Sequence, residues 1–185
     1  MALEQLFSEQ DAGKAVRDAL ELMEQMFPLC RSITGEGVRR TFDLLERFVP
    51  LARHEVPSGT AVFDWEVPRE WNIRDAYVAD AGGRRVIDFR AHNLHVVNYS
   101  VPVRRTMSLE ELQPHLHSLP AQPDLIPYRT TYYKEDWGFC LSHEQRSALR
   151  PGSYDVLIDT TLGDGSLLTA ALGDGTPLTS AVAGP

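Results

Sequence analysis

The sequence is poor in the features that announce a function. It holds only two cysteines, Cys30 and Cys140, far apart and in no CxxC spacing, which leaves little basis for a disulfide framework or a zinc knuckle. Both are expected as buried reduced thiols, since a free cysteine usually behaves as a small core residue. Positive charge is also short: 18 Lys and Arg stand against 26 Asp and Glu, for a net charge of -8. No nucleic-acid partner is expected, because phosphate binding needs clustered cations that release counterions. The Arg84-Arg85 and Arg104-Arg105 pairs read as solvated hairpin edges. Apolar runs stop after a few residues, far below the roughly 20 needed to cross a bilayer, so no membrane partner is expected. Met1 to Asp11 has acidic and polar residues and no apolar centre, unlike a secretion signal, which makes a cytoplasmic location the default. No Ser, His and Asp spacing resembles a nucleophile elbow.

What is present is globular. With 43% hydrophobic and 24% charged residues over 185 positions, the chain can bury a core of its own. Val16, Leu20, Met23 and Phe27 recur at helical spacing, widened by Ala15, Ala19, Leu22 and Met26, and predict a helix over 13–27 that is buried on more than one side. Pro28 ends it. The polar turn Arg31-Ser-Ile-Thr-Gly-Glu-Gly37 offers Ser32 or Thr34 as the cap of a second helix, with Glu36 at its positive end. Val38, Phe42, Leu45 and Val49 stripe that helix, which is expected to pair with the first as an antiparallel hairpin.

After Pro50 the pattern turns to short strands rich in branched and aromatic residues, so residues 52–104 read as a small antiparallel β module with its best hairpin turn at Asp80-Ala-Gly-Gly83. Ser108 and Glu111 have capping-box spacing, and Pro120, Pro123 and Pro127 force an extended connection. An aromatic stretch follows from Tyr128 to Leu141, then a capped helix over 142–149 and a strand over 154–159. Leu162-Gly-Asp-Gly165 is echoed at Leu172-Gly-Asp-Gly175, too little to make a repeat.

Chemistry-bearing residues are few. His92 and His95 would point to opposite faces of a strand, and His115 and His117 roughly 200° apart on a helix, so neither pair makes a metal site, and none is assigned. Asp159 and Asp164 fit turn formation beside Gly163 and Gly165 better than a general base. No catalytic residue is assigned. Arg31 is the candidate for substrate contact, as a guanidinium beside a helix start that can meet a carboxylate, against the alternative that it caps carbonyls or pairs with a neighbouring acid. Tyr132, Tyr133 and Trp137 either line a substrate cleft or pack one part of the chain on another.

The blocks Phe27-Pro-Leu-Cys-Arg-Ser-Ile-Thr-Gly-Glu-Gly37, His54-Glu-Val-Pro-Ser-Gly-Thr60, Val62-Phe-Asp-Trp-Glu-Val-Pro68, Glu70-Trp-Asn-Ile-Arg-Asp-Ala-Tyr77, Asn93-Leu-His-Val-Val97, Trp137-Gly-Phe-Cys-Leu-Ser142 and Leu162-Gly-Asp-Gly-Ser-Leu167, in that order, resemble a bacterial zinc aminopeptidase-like family found beside polysaccharide and natural-product biosynthesis genes. The resemblance implies an α/β zinc exopeptidase core with a small antiparallel β domain inserted early, α+β as this chain stands. Residues 1–51 would be the helical hairpin of the core, 52–145 the insert, 146–167 the helix and strand that return to the core, and 168–185 a divergent tail. It implies zinc for the full-length family and a peptide or amide substrate, but the segment that carries the family's metal ligands has no counterpart here. The chain is therefore expected to be a truncated or frame-shifted N-terminal fragment, inactive alone. The alternative is a stand-alone binding or interaction module built on the β domain. As a fragment it would leave apolar faces uncovered on the opening helices and on the Tyr154 strand, with homo-oligomerisation as one consequence, while the insert stays folded.

Overall fold

The computed structural model describes residues 9–132, 134–173 and 177–178; Tyr133 and most of the expected tail lie outside these described residues. Helical periodicity yields α1, Glu9–Met26, and α2, Glu36–Leu45, and Pro28 follows the end of α1 as its missing amide donor dictates. The start of α2 differs from expectation. Neither Ser32 nor Thr34 caps it: Gly35 is the N-cap, and the Glu36 backbone N–H donates to Asn72 Oδ1 at 2.8 Å. The cap comes from a residue that is distant in sequence, which no local spacing reveals.

The expected burial of α1 is corrected. Val16, Leu20, Met23 and Phe27 are 59%, 54%, 64% and 67% exposed, because periodicity reports which side chains share a face and not whether anything covers it. α1 contacts α2, Leu22 and Met26 near its C-terminal end are half-buried, and Arg47 Nη1, just beyond α2, donates to Gln25 Oε1 at 2.9 Å. Val38 and Phe42 of α2 are buried, against Leu168 and Ala170.

The rest is mostly antiparallel sheet. β1 (Leu51–Pro57) pairs with β10 (Ser166–Leu172), which continues to β11 (Pro177–Leu178). β2 (Ala61–Val62) and β3 (Trp65–Glu66) form a short hairpin. The main sheet has the order β5 (Arg85–Asp88), β4 (Glu70–Ala79), β9 (Ser153–Gly163), β6 (Val103–Ser108). β7 (Leu116–His117) and β8 (Phe139–Cys140) pair in parallel. α3 (Leu109–Leu112) and α4 (His143–Ala148) both open on capping boxes, Ser108 with Glu111 and Ser142 with Gln145. The β4–β5 turn closes as its residues demand, with Gly83 at φ 78 and Asp80 Oδ1 accepting from the N–H groups of Gly82 and Arg84. Among the described residues no helix is long and apolar enough to cross a membrane.

Two strands pair with partners that the sequence pattern does not reveal. β9 is not a strand returning to a separate core: it sits between β4 and β6 in the main sheet, with Tyr154, Val156 and Ile158 at 5%, 2% and 1% exposure. The face expected to lie bare on this strand is therefore covered. Residues 168–172, expected in a tail, complete β10, whose register runs from Leu51 opposite Leu172 to Pro57 opposite Ser166. Pairing between strands separated by about half the chain leaves no local mark, so spacing alone could not place either. The main core gathers Trp71, Val78, Ile87, Leu112, Phe139 and Ile158 on one side of this sheet and its returning loops.

One carboxylate joins the parts. Glu70, at the start of β4, accepts from Arg39 Nη1 and Nη2 of α2 at 2.8 and 2.7 Å, from Asn72 Nδ2 at 3.0 Å and from the Ser166 N–H of β10 at 3.2 Å. The Arg39 guanidinium holds the Glu70 carboxyl down from 4.5 to about 2. A carboxyl whose pKa falls on folding stabilises fully above its unfolded value and loses that contribution as the pH drops through the folded one. Glu70→Gln is expected to cost about 2 kcal/mol at neutral pH, with the gap to the parent protein closing as the pH falls from 4.5 toward 2. Denaturant melts across that range check it, and a gap that stays constant would show that the charge of Glu70 contributes nothing.

Candidate functional site

The turn from Leu29 to Gly37 packs against the start of β4 and against residues 96–100. Thr34 is buried, its Oγ1 2.6 Å from the Tyr99 hydroxyl and accepting the Trp71 backbone N–H at 3.1 Å. A Cβ on Gly35 would stand 2.3 Å from the Trp71 carbonyl oxygen, and one on Gly37 1.9 Å from that of Cys30. Thr34, Gly35 and Gly37 are thus accounted for by close packing. Arg31 is not. Its side chain is exposed and makes no ion pair among the described residues, and only its backbone carbonyl is used, accepting from Asn98 Nδ2 at 3.4 Å.

Asn98 organises what surrounds Arg31. Buried at 5% exposure, it also donates from Nδ2 to the Tyr128 hydroxyl at 3.2 Å. Its backbone N–H and carbonyl bond Arg129 O and Thr131 N, both at 2.9 Å, which lays residues 128–132 alongside it. The next residue, Tyr99, has φ 66 and is 3% exposed, a left-handed conformation that costs a bulky residue energy and persists only where the surroundings enforce it. Trp71 stacks on its ring at 5.8 Å and Tyr132 meets it edge-on at 5.3 Å. Burial pushes the Tyr99 phenol up to about 12, so it stays neutral and shares a hydrogen bond with Thr34.

Two clefts flank this junction. The first, about 290 Å³, is lined by Phe27, Arg31, His92, Asn98 and Tyr128 with apolar walls from Leu29, Leu94 and Val96. His92 Nδ1 accepts the Leu94 N–H at 3.1 Å, so the neutral ring carries its proton on Nε2 and can donate from there. A guanidinium, an imidazole N–H and a phenol beside an apolar wall suit a carboxylate that carries a hydrophobic group. The second cleft, about 450 Å³, lies beyond Tyr99 and is lined by Tyr132, Arg69, Lys134, Glu66 and Asp164 among others. Arg69 pairs there with Glu135, and Lys134 with Asp136 at 2.8 Å.

The structure therefore separates residues that the sequence grouped. Arg31 lines one cleft and Tyr132 the other, while Tyr133 lies outside the described residues. Trp137 lines neither; its indole stacks on His115 with ring centroids 3.6 Å apart. Asn98, Tyr99 and Tyr128 escaped the sequence analysis. Tyr128 stood in the aromatic stretch that was singled out, but Asn98 and Tyr99 carry no local signal.

The metal question has a structural answer for the described residues. His92 and His95 are not on opposite faces of a strand: a 3-10 turn over Asn93–His95 brings their rings to 6.1 Å. His95 Nδ1 lies 2.7 Å from Cys140 O and donates to it, and burial holds its pKa down. Burial pushes both cysteine thiols up to about 12, which keeps them protonated and poor as metal ligands. No group of three His, Cys, Asp or Glu able to hold an ion occurs among the described residues. They do not fit the zinc that the resemblance implies.

Residues 70–161 match the family model described as "Domain of unknown function (DUF2172)". A curated protein of Clostridium acetobutylicum, "Putative polysaccharide biosynthesis protein with aminopeptidase-like domain", is 53% identical over 158 residues, 85% of this chain and 36% of that protein. A crystal structure of a "putative peptidase" from Clostridium acetobutylicum aligns with a TM-score of 0.84 and 52% identity, over 87% of this chain and 38% of its own. The chain thus spans little more than a third of the length of either relative. At this identity and similarity it shares the mixed helix-and-sheet fold of the matched part of a peptidase-like protein. The family match begins with β4 and ends within β9, the two central strands of the main sheet.

The packing account of the turn is open to test by thermal melts. Gly35→Ala, at φ +88 and with backbone 2.3 Å from the new Cβ, is expected to cost more than about 3 kcal/mol. Gly59→Ala, at φ +80 with nothing within 4 Å, should cost only about 1 kcal/mol. Equal losses would remove the close approach at Gly35 as the reason for glycine there.

Proposed function

We propose that this chain is the substrate-facing scaffold of an aminopeptidase-like hydrolase that acts on short peptides or related amides. The observation that carries the reading is the uncommitted Arg31 guanidinium in the first cleft, beside the Tyr128 hydroxyl and His92 Nε2. Thr34, Gly35 and Gly37 in the same turn have structural work that explains them, and the Arg31 side chain has none. In this reading Arg31 binds the substrate carboxylate, His92 and Tyr128 donate to it, and Leu29, Leu94 and Val96 take an apolar side chain. Support from relatives comes from the names of two longer proteins, one with an "aminopeptidase-like domain" and one a "putative peptidase". A hydrolytic zinc would supply an activated water for attack on the amide carbonyl. Its ligands would come from residues other than those described here, and the chain alone would be inactive.

A second reading, a binding module without catalysis, is favoured by the larger second cleft, whose walls of Tyr132, Arg69, Lys134 and Glu66 belong entirely to the β-rich part. Ligand binding separates the two. A short peptide with an apolar residue and a free C-terminal carboxylate is expected to bind the purified chain, and Arg31→Ala to weaken it about tenfold, one charged hydrogen-bonded pair, with an unchanged melting temperature. The C-terminally amidated peptide should bind both proteins equally weakly. Unchanged affinity in Arg31→Ala would overturn the assignment of the first cleft. Chelator-sensitive turnover of aminoacyl substrates by this chain with added zinc would overturn the division of labour and the binding-module reading together.

A further inference from the structure

α1 is an 18-residue helix. Among the described residues its ties to the rest of the chain include its contact with α2, the Arg47 to Gln25 hydrogen bond and, just beyond the helix, the donation of Asn93 Nδ2 to Phe27 O at 2.8 Å and the edge-on contact of the Phe27 ring with His92 at 5.8 Å. A helix of this length is marginal in water unless its apolar stripe is covered. The stripe is uncovered, with Val16, Leu20, Met23 and Phe27 all more than half exposed. Their spacing is four, three and four residues, that of a coiled-coil seam, while Leu22 and Met26 of the wider apolar face are half-buried.

The charges beside the seam select the occupant. Arg17 and Glu24 each follow a seam residue, Val16 and Met23, and lie on the same flank. In an antiparallel pair related by a two-fold axis, Val16 meets Phe27 of the other helix and Leu20 meets Met23. That register brings Arg17 of each copy beside Glu24 of the other. The arrangement is self-complementary, as an isologous interface must be. The other flank carries Ala19 and Met26, so a parallel pair would gain no such charge match. We infer that α1 is a homotypic docking surface through which two copies of this chain associate as an antiparallel helix pair. Such a helix is about 27 Å long, and its seam buries on the order of 500 Å² per copy, less than the roughly 800 Å² of a standard interface. The dimer is therefore weak and concentration-dependent, and α1 gains helicity as it forms.

Sedimentation equilibrium over a concentration series, with far-ultraviolet circular dichroism on the same samples, tests this on the full chain. The parent protein is expected to dimerise with a rise in helicity. Leu20→Glu, which removes two seam leucines per dimer, should raise the dissociation constant by at least about a hundredfold. Arg17→Glu and Glu24→Arg alter only exposed charges and are expected to fold normally. Each alone should weaken the dimer about three- to tenfold at low salt, and the double swap should restore it. A chain that stays monomeric at every concentration overturns the inference and leaves the seam to a different occupant, such as another segment of a longer chain. A dimer indifferent to Leu20→Glu, or one that the double swap fails to restore, overturns it equally.

Discussion

The Arg39–Glu70 fork is the constraint on which the rest of the structure depends. Glu70, the first residue of β4, lies where α2 and the start of β10 converge and accepts from Arg39 of the one and Ser166 of the other, with Glu55 as a second carboxylate beside them. With the Glu70 side chain 13% exposed, the guanidinium opposite it is the largest of the interactions that favour its charged form, ahead of the donors from Asn72 and Ser166. The neighbouring residues are shaped around it. A Cβ on Gly165 would stand 2.4 Å from Glu70, so the Gly-Asp-Gly-Ser loop must be small there. The Gly165 N–H is taken up by Ser58 Oγ at 3.2 Å, and the Ser166 hydroxyl donates to Glu55. The same Asn72 that donates to Glu70 also caps α2, which ties helix orientation to the position of the carboxylate.

With α2 fixed in this way, the turn before it is pressed onto Trp71 and Tyr99. The left-handed backbone of Tyr99 follows from that crowding: its ring is held by Trp71 and Tyr132, and its hydroxyl by Thr34. Asn98 and Tyr99 then face opposite ways, so one residue serves the Arg31 cleft and the next serves the Tyr132 cleft. The two clefts thus meet at adjacent residues of one segment.

α1 stands apart from this arrangement. The central strands β4 and β9 and the start of β10 contribute to the two cores, whereas α1 presents the apolar residues of its stripe to solvent.

Features fixed by neighbours along the chain were legible in the amino-acid order. The stop after α1 at Pro28, the boxes at Ser108 and Ser142, the Asp80 turn and the apolar stripe of α1 all rest on interactions across four residues or fewer, and each is present. The quoted blocks likewise marked a resemblance, which composition could not, and the similar proteins carry the names "aminopeptidase-like domain" and "putative peptidase". Tertiary structure alone decided that Asn72 caps α2, that β9 is central and that residues 168–172 complete β10, and that Arg31, Tyr132 and Trp137 go to three different places. Each depends on segments brought together from distant parts of the chain, and the free energy that joins them is carried by pairing and burial rather than by local preference.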